Sequence, residues 1–238
     1  MAEEIRACIF DVFGTVVDWR TSVSCDLAAF AATKGLTGID WVKFADDWRK
    51  QYRPSLDEVR SGRRGWTVLD VLHFESLVRL LDGLGVTGLS EANLLHMSHA
   101  WRRLDPWPDS VPGLVRLKTR YIIAPCSNGN IALIVNMAKY AGLPWDCVLG
   151  AETARAYKPE PEAYLSACRM LDLKPSQVLM VAAHNGDLRA AKARGLATAF
   201  VPRLTEHGPD QQFDVVPDPS CVDLVADSFI SLATKMGC

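Results

Sequence analysis

The sequence predicts an α/β fold, a doubly wound parallel sheet with an all-helical segment inserted after its first strand. Three observations carry this reading. An apolar run over residues 5–10 ends at Asp11, and Gly14 lets the backbone turn three residues later, so the run reads as a strand delivering an acid to a loop. Strand-like stretches at 121–125, 147–149, 178–182 and 198–201 alternate with helical patterns, which calls for parallel strands covered by helices on both faces. Between these two regions, residues 18–107 carry charges and aromatics at helical spacing and no strand signal.

Taken in order, the strand 5–10 opens the chain. Helical patterns follow over 42–52, over 69–81 with Leu69, Leu72, Leu77 and Leu80 on one face, and over 91–104. Breaks at 35–38, 61–65 and 83–88 separate them. Strand signals return after Pro106-Trp107-Pro108. A helix is expected over 131–140, another beginning near Pro161, and a third closed by Gly195. Residues 202–219, rich in Pro, Asp and Gln, read as an irregular crossing before a final amphipathic helix over 222–236. Residues 1–17 and 108–238 therefore make a core, and 18–107 make a helical cap lying over the crevice at the strand ends.

Composition narrows the function. A chain of 238 residues, 49% hydrophobic and 23% charged, can bury a substantial core. Its net charge of -2, with no block of Lys or Arg, argues against nucleic acid or a membrane surface as partner. The seven cysteines are scattered and lack a CxxC pair, which points to free thiols in a reducing compartment and to no cysteine zinc site. The acidic start and the absence of a long apolar run make the cytoplasm the expected location.

Three polar clusters fall at the ends of later strands: Ser127-Asn128-Gly129-Asn130, Tyr157-Lys158-Pro159 and His184-Asn185-Gly186-Asp187. Each has an ordinary structural explanation. Ser127 and Asn128 can cap the next helix, Lys158 can be a surface lysine, and Asp187 can be a first-turn acid. Together with Asp11 they form a constellation, because strand ends in such a sheet converge on one crevice. Two carboxylates, a lysine, Ser and Asn donors and a histidine would meet there, a grouping suited to an attacking carboxylate.

In this order Asp11-Val12-Phe13-Gly14-Thr15, Ser127-Asn128, Lys158-Pro159 and Asp187 resemble the four motifs of the haloacid dehalogenase superfamily. Within it the chain is most similar to the type II, (S)-2-haloacid dehalogenase-like members. Trp48-Arg49-Lys50-Gln51 resembles their cap segment with a halide-contacting arginine, and Lys158 and Tyr164 match their lysine and tyrosine. Superfamily phosphohydrolases carry a second Asp two residues after the nucleophile, as proton donor, and use magnesium; here that position is Phe13. The resemblance implies a Rossmann-like core and hydrolysis of a short 2-haloacid to a 2-hydroxy acid with halide release, without metal or cofactor. A magnesium-dependent phosphohydrolase of a small metabolite is the alternative. The implied catalytic residues are Asp11 as nucleophile, Lys158, Asp187, Arg49 and His184. Phe13, Thr15, Arg49, Ser127, Asn128, Tyr157 and Asn185 are implied on the substrate side. A homodimer remains open. The Ala182-Ala183-His184-Asn185-Gly186-Asp187 stretch departs from the type II pattern of Ser and Asn and resembles a separate subgroup, so His184 is open to three roles: assisting ester hydrolysis, narrowing the halide pocket, or holding the loop. For Arg49 the alternative to the halide role, which the resemblance favours, is a solvated helix face.

Overall fold

The computed structural model describes residues 4–238. The chain runs from β1 (Ala7–Phe10) through a two-residue strand, β2 (Val17–Asp18), into α1 (Trp19–Lys34), α2 (Trp41–Lys50), α3 (Tyr52–Arg60), α4 (Leu69–Gly83) and α5 (Glu91–Ser98). A 3-10 turn, His99–Arg102, leads to β3 (Asp105–Pro106). Strands and helices then alternate: α6 (Ser110–Lys118), β4 (Ile122–Ser127), α7 (Ile131–Ala141), β5 (Leu149–Gly150), α8 (Ala151–Ala154), α9 (Pro161–Met170), β6 (Val178–Ala182), α10 (Asn185–Lys192), β7 (Ala197–Phe200), β8 (Leu224–Val225) and α11 (Phe229–Lys235).

The sheet is six-stranded and parallel, in the order β5-β4-β1-β6-β7-β8. Counting only its own strands, that order is the doubly wound one, with the reversal between β1 and β6. All four residues of β1 are buried because it is covered on both faces. Cys8 and Phe10 pack into one core cluster while Ala7 and Ile9 pack into the other, as the period-two pleat requires. Asp11 follows directly, its N–H donating to the Val181 carbonyl of the neighbouring strand at 3.0 Å. The acid is thereby fixed at the switch point.

The inserted helices start where side chains can satisfy their free N–H groups. Asp18 accepts from Thr21 N at 3.1 Å, and Asp40 from Val42 N and Lys43 N at 3.0 Å. The helix expected over 42–52 ends at Lys50, and a further helix that was not expected, α3, starts at Tyr52. Pro54 has no N–H for the carbonyl of residue 50, so the ladder cannot continue. The inserted segment is not wholly helical: β2 and β3 pair antiparallel where the chain leaves and re-enters the core, a contact of two residues that no sequence period can reveal. The C-terminal helix is also shorter than the expected 222–236. Residues 224–225 instead pair with β7, Asp223 accepts from Thr198 N at 3.0 Å, and the helix begins only after Ser228, which accepts from Ser231 N at 3.1 Å. Pairing with an open sheet edge overrode helical patterning there. Among the described residues no helix is long and apolar enough to cross a membrane.

Candidate active site

A cavity of about 1340 Å³ opens between the carboxyl ends of the sheet and helices α2 and α3. Asp11, Lys158, Asp187 and His184 line its floor, and Arg49, Tyr52, Arg53 and Arg60 face it from the helical side. The sequence-predicted acids and cations therefore do meet.

Lys158 lies between two carboxylates. Its Nζ donates to Asp11 Oδ1 at 2.7 Å and also to Asp187 Oδ2, with only 9% of its side chain exposed. Asp187 accepts a further bond from Tyr164 OH on α9. On the other oxygen of Asp11, Oδ2, Thr15 Oγ1 donates at 2.7 Å and His184 Nδ1 stands at 3.0 Å. Burial disfavours charge on Asp11, but Lys158 and His184 hold its carboxyl far below the usual carboxylate range. Burial likewise opposes charge on Lys158, yet Asp11 and Asp187 hold it well above the ordinary ammonium value. Asp187 moves upward, through burial first and then the nearby Asp11 charge, against the pull of Lys158. The two carboxylates share one cation and are pushed in opposite directions.

His184 is held on both sides. Its Nε2 is 2.8 Å from Glu206 Oε2, and Glu206 also accepts from Trp19 Nε1 at 2.9 Å. Burial opposes its charge, but Glu206 and Asp11 raise the imidazole well above its ordinary value. Glu206, 1% exposed, comes from the irregular crossing after β7 and was not expected from sequence; a lone acid in a Pro- and Asp-rich stretch carries no motif. Its approach depends on Gly14. That residue sits at φ +84°, and a Cβ there would lie 2.0 Å from Glu206 Oε1. Only glycine fits.

Arg49 faces the cavity, and its charged neighbours on α2 are paired elsewhere. Asp46 pairs with Arg20 of α1 at 2.7 Å, and Asp47 pairs with Lys43 and Lys50. The Arg49 guanidinium lies 4.2 Å from the Tyr52 ring centre and 5.4 Å from that of Trp19, and its buried Nη1 has no hydrogen-bond partner. The solvated-face alternative does not describe this side chain. Phe13 is 3% exposed, packs edge-on against Trp101 at 5.7 Å and is among the residues lining the cavity.

The other expected residues fall into two groups. Asn128 lines the cavity, accepting from Lys158 N at 2.8 Å and donating to Tyr52 OH at 2.8 Å, so it fixes the lysine loop against α3. Thr15, Ser127, Tyr157 and Asn185 lie outside the lining. Thr15 accepts from Ala183 N at 2.9 Å besides bonding Asp11. Ser127 is fully buried and accepts from Gly129 N, and Tyr157 OH donates to the Thr67 carbonyl at 2.6 Å. Asn185 turns away to Asp214, Val216 and Asp218, tying down the 202–219 crossing that carries Glu206. Sequence adjacency to His184 did not place it on the substrate side.

A parallel sheet of this order, with helices inserted after a first strand that ends in Asp11, is the architecture of one hydrolase family. The family model for haloacid dehalogenase-like hydrolases matches residues 5–195, and the chain belongs to that family. It is 30% identical to the (S)-2-haloacid dehalogenase of Xanthobacter autotrophicus over 85% of this chain and 77% of that protein. It is 27% identical to (S)-2-haloacid dehalogenase 4A of Burkholderia cepacia, over 99% of this chain and 98% of that one. The solved structure of the defluorinating L-2-haloacid dehalogenase Rha0230 is 48% identical, with a TM-score of 0.95 over 98% of this chain and 96% of its own.

Proposed function

We propose that this chain hydrolyses short 2-haloalkanoic acids to 2-hydroxyalkanoic acids through an ester on Asp11, with residues 18–107 acting as the cap domain over the reaction. The observation that carries the reading is a buried carboxylate, held between Lys158 and His184, sharing one cavity with an arginine whose buried Nη1 has no hydrogen-bond partner among the described residues. The first is a nucleophile that keeps its charge. The second is a receptor for an anion that leaves.

Asp11 Oδ1 accepts one bond and Oδ2 has two partners, so Oδ1 has the freer lone pair and would attack the carbon bearing the halogen. The carbon–oxygen bond forms as the carbon–halogen bond breaks, the electron pair leaves on halide, and Arg49 meets that charge as it develops. Oδ2 then becomes the ester carbonyl. Thr15 and His184 already converge on it, so both would stabilise the oxyanion formed when water adds to the Asp11 carboxyl carbon. Collapse returns the Asp11 carboxylate; one water proton ends on the product hydroxyl and the other in solvent. Lys158 would hold Oδ1 in aim, with Asp187 and Tyr164 holding Lys158. The second hydrogen of Asn128 Nδ2 is a donor for the substrate carboxylate. A phosphohydrolase would need a proton donor at position 13, and Phe13 has none. Free thiols at all seven cysteines support a reducing, cytoplasmic location.

Halide release from haloacetates and 2-halopropionates, with and without chelator, tests the reading. Turnover indifferent to chelator is expected; phosphate ester hydrolysis abolished by chelator would reverse it. Arg49→Lys keeps the charge but loses the planar fork of donors, and should slow turnover on the order of 100-fold. The loss should be larger with fluoroacetate than with bromoacetate, since fluoride concentrates charge most; equal, near-native rates would remove Arg49 from the halide. Gly14→Ala should displace Glu206 and so let His184 drift, lowering the rate on the order of 100-fold with little change in KM. A Gly14→Ala protein with native turnover would show that the Glu206 contact does not support the site.

A further inference from the structure

Beside the Asp11–Lys158–Asp187 group, two histidines of the cavity lining, His184 and His207, meet the buried Glu206 behind them. One ligand-capable atom from each lies within 4.8 Å of the others. His184 Nε2 is 2.8 Å from Glu206 Oε2, and His207 Nε2 is 3.4 Å from Glu206 Oε1. Ligands about 2.0–2.1 Å from a shared tetrahedral ion stand about 3.3 Å from one another, so small side-chain shifts would seat one. Two imidazoles and a carboxylate suit zinc and its transition-metal neighbours, whereas magnesium and calcium favour all-oxygen sites.

The surroundings match this ligand set as well. The remote nitrogen of His184, Nδ1, is already bonded to a carboxylate, Asp11 Oδ2, the arrangement that orients histidines in zinc sites. Trp19 Nε1 fixes the Glu206 carboxylate in the same way. Both imidazoles line the cavity, so an ion entering it meets them directly. The spacing of one histidine at 184 and a Glu-His pair at 206–207 resembles no short metal motif, which is why the sequence did not indicate it.

We propose that His184, Glu206 and His207 form a binding site for one divalent transition ion of the zinc class, and that an ion there blocks turnover at Asp11. The block rests on the haloacid reading, because the ion would displace the proton shared by His184 Nε2 and Glu206, leave His184 Nδ1 on Asp11 Oδ2, and crowd the path of water to the Asp11 carboxyl. The binding does not depend on that reading.

Chelator-treated protein titrated with Co²⁺ should develop the visible bands of a four- or five-coordinate ion at one equivalent per chain, and Zn²⁺ should displace it. In His207→Gln and Glu206→Gln the affinity should fall about tenfold or more. Undiminished binding in both variants, or the near-ultraviolet band of a cobalt thiolate from the exposed Cys25, would put the ion elsewhere and overturn the site. Zinc should also suppress halide release by the unmodified protein, reversibly with chelator, and leave the rate of His207→Gln unmoved. Binding without suppression would overturn the block while leaving the haloacid reading intact. If the metal-free protein released no halide from any haloacid, the haloacid reading would fall, and the cobalt titration would still decide the site.

Discussion

Replacing Asp11 by asparagine is expected to abolish halide release while the fold survives. The substitution keeps the shape of the side chain and removes the charge that makes it a nucleophile, and loss of a covalent nucleophile lowers kcat by roughly 10⁴-fold or more. Folding should tolerate the change because Lys158 keeps its second carboxylate, Asp187, and Thr15 keeps an oxygen to donate to. Circular dichroism and thermal unfolding would establish the fold, and halide release would establish the loss. Near-native turnover in a folded Asp11→Asn protein would remove Asp11 from the chemistry.

Lys158→Met should damage stability and activity together. The native ammonium bridges two buried carboxylates, and deleting it leaves Asp187 without the cation it pairs with and Asp11 with His184 alone. Removing one partner of a buried ionic group costs about 3–5 kcal/mol. For a chain of this size that lowers Tm on the order of 10 °C. Turnover should fall as well, since an Asp11 without its cation is both harder to ionise and free to rotate. A melting point near that of the unmodified protein would show that Lys158 is not the neutralising group.

Much of this architecture was readable from residue order. Parallel strands covered on both faces give short apolar runs, and the polar residues that end them had to converge once the strands were placed side by side. The group formed by Asp11, Lys158, Asp187, Asn128 and His184 follows from that logic. What was not readable depends on contacts between distant segments. Arg49 looks like one charge among five on α2; that the other four are paired, Asp46 with Arg20 of another helix, is visible only in the fold. Glu206 reaches His184 because position 14 lacks a side chain, and no local pattern links residues 14 and 206. Asn185 shows the converse, a residue flanked by site residues yet turned to the loop behind them. The β2–β3 pair and β8 were missed for the same reason, since each exists only where another segment offers an unpaired edge.

The central claim is an ester on Asp11 opened by water at the side-chain carboxyl carbon. A single turnover in heavy-oxygen water, with protein in excess over a 2-halo acid, tests it most directly. Mass spectrometry of the peptide containing Asp11 should find heavy oxygen in its carboxylate, and the hydroxy acid released in that first turnover should carry ordinary oxygen. Label appearing directly in the hydroxy acid, with none in Asp11, would mean that water attacks the substrate carbon itself and would contradict the account.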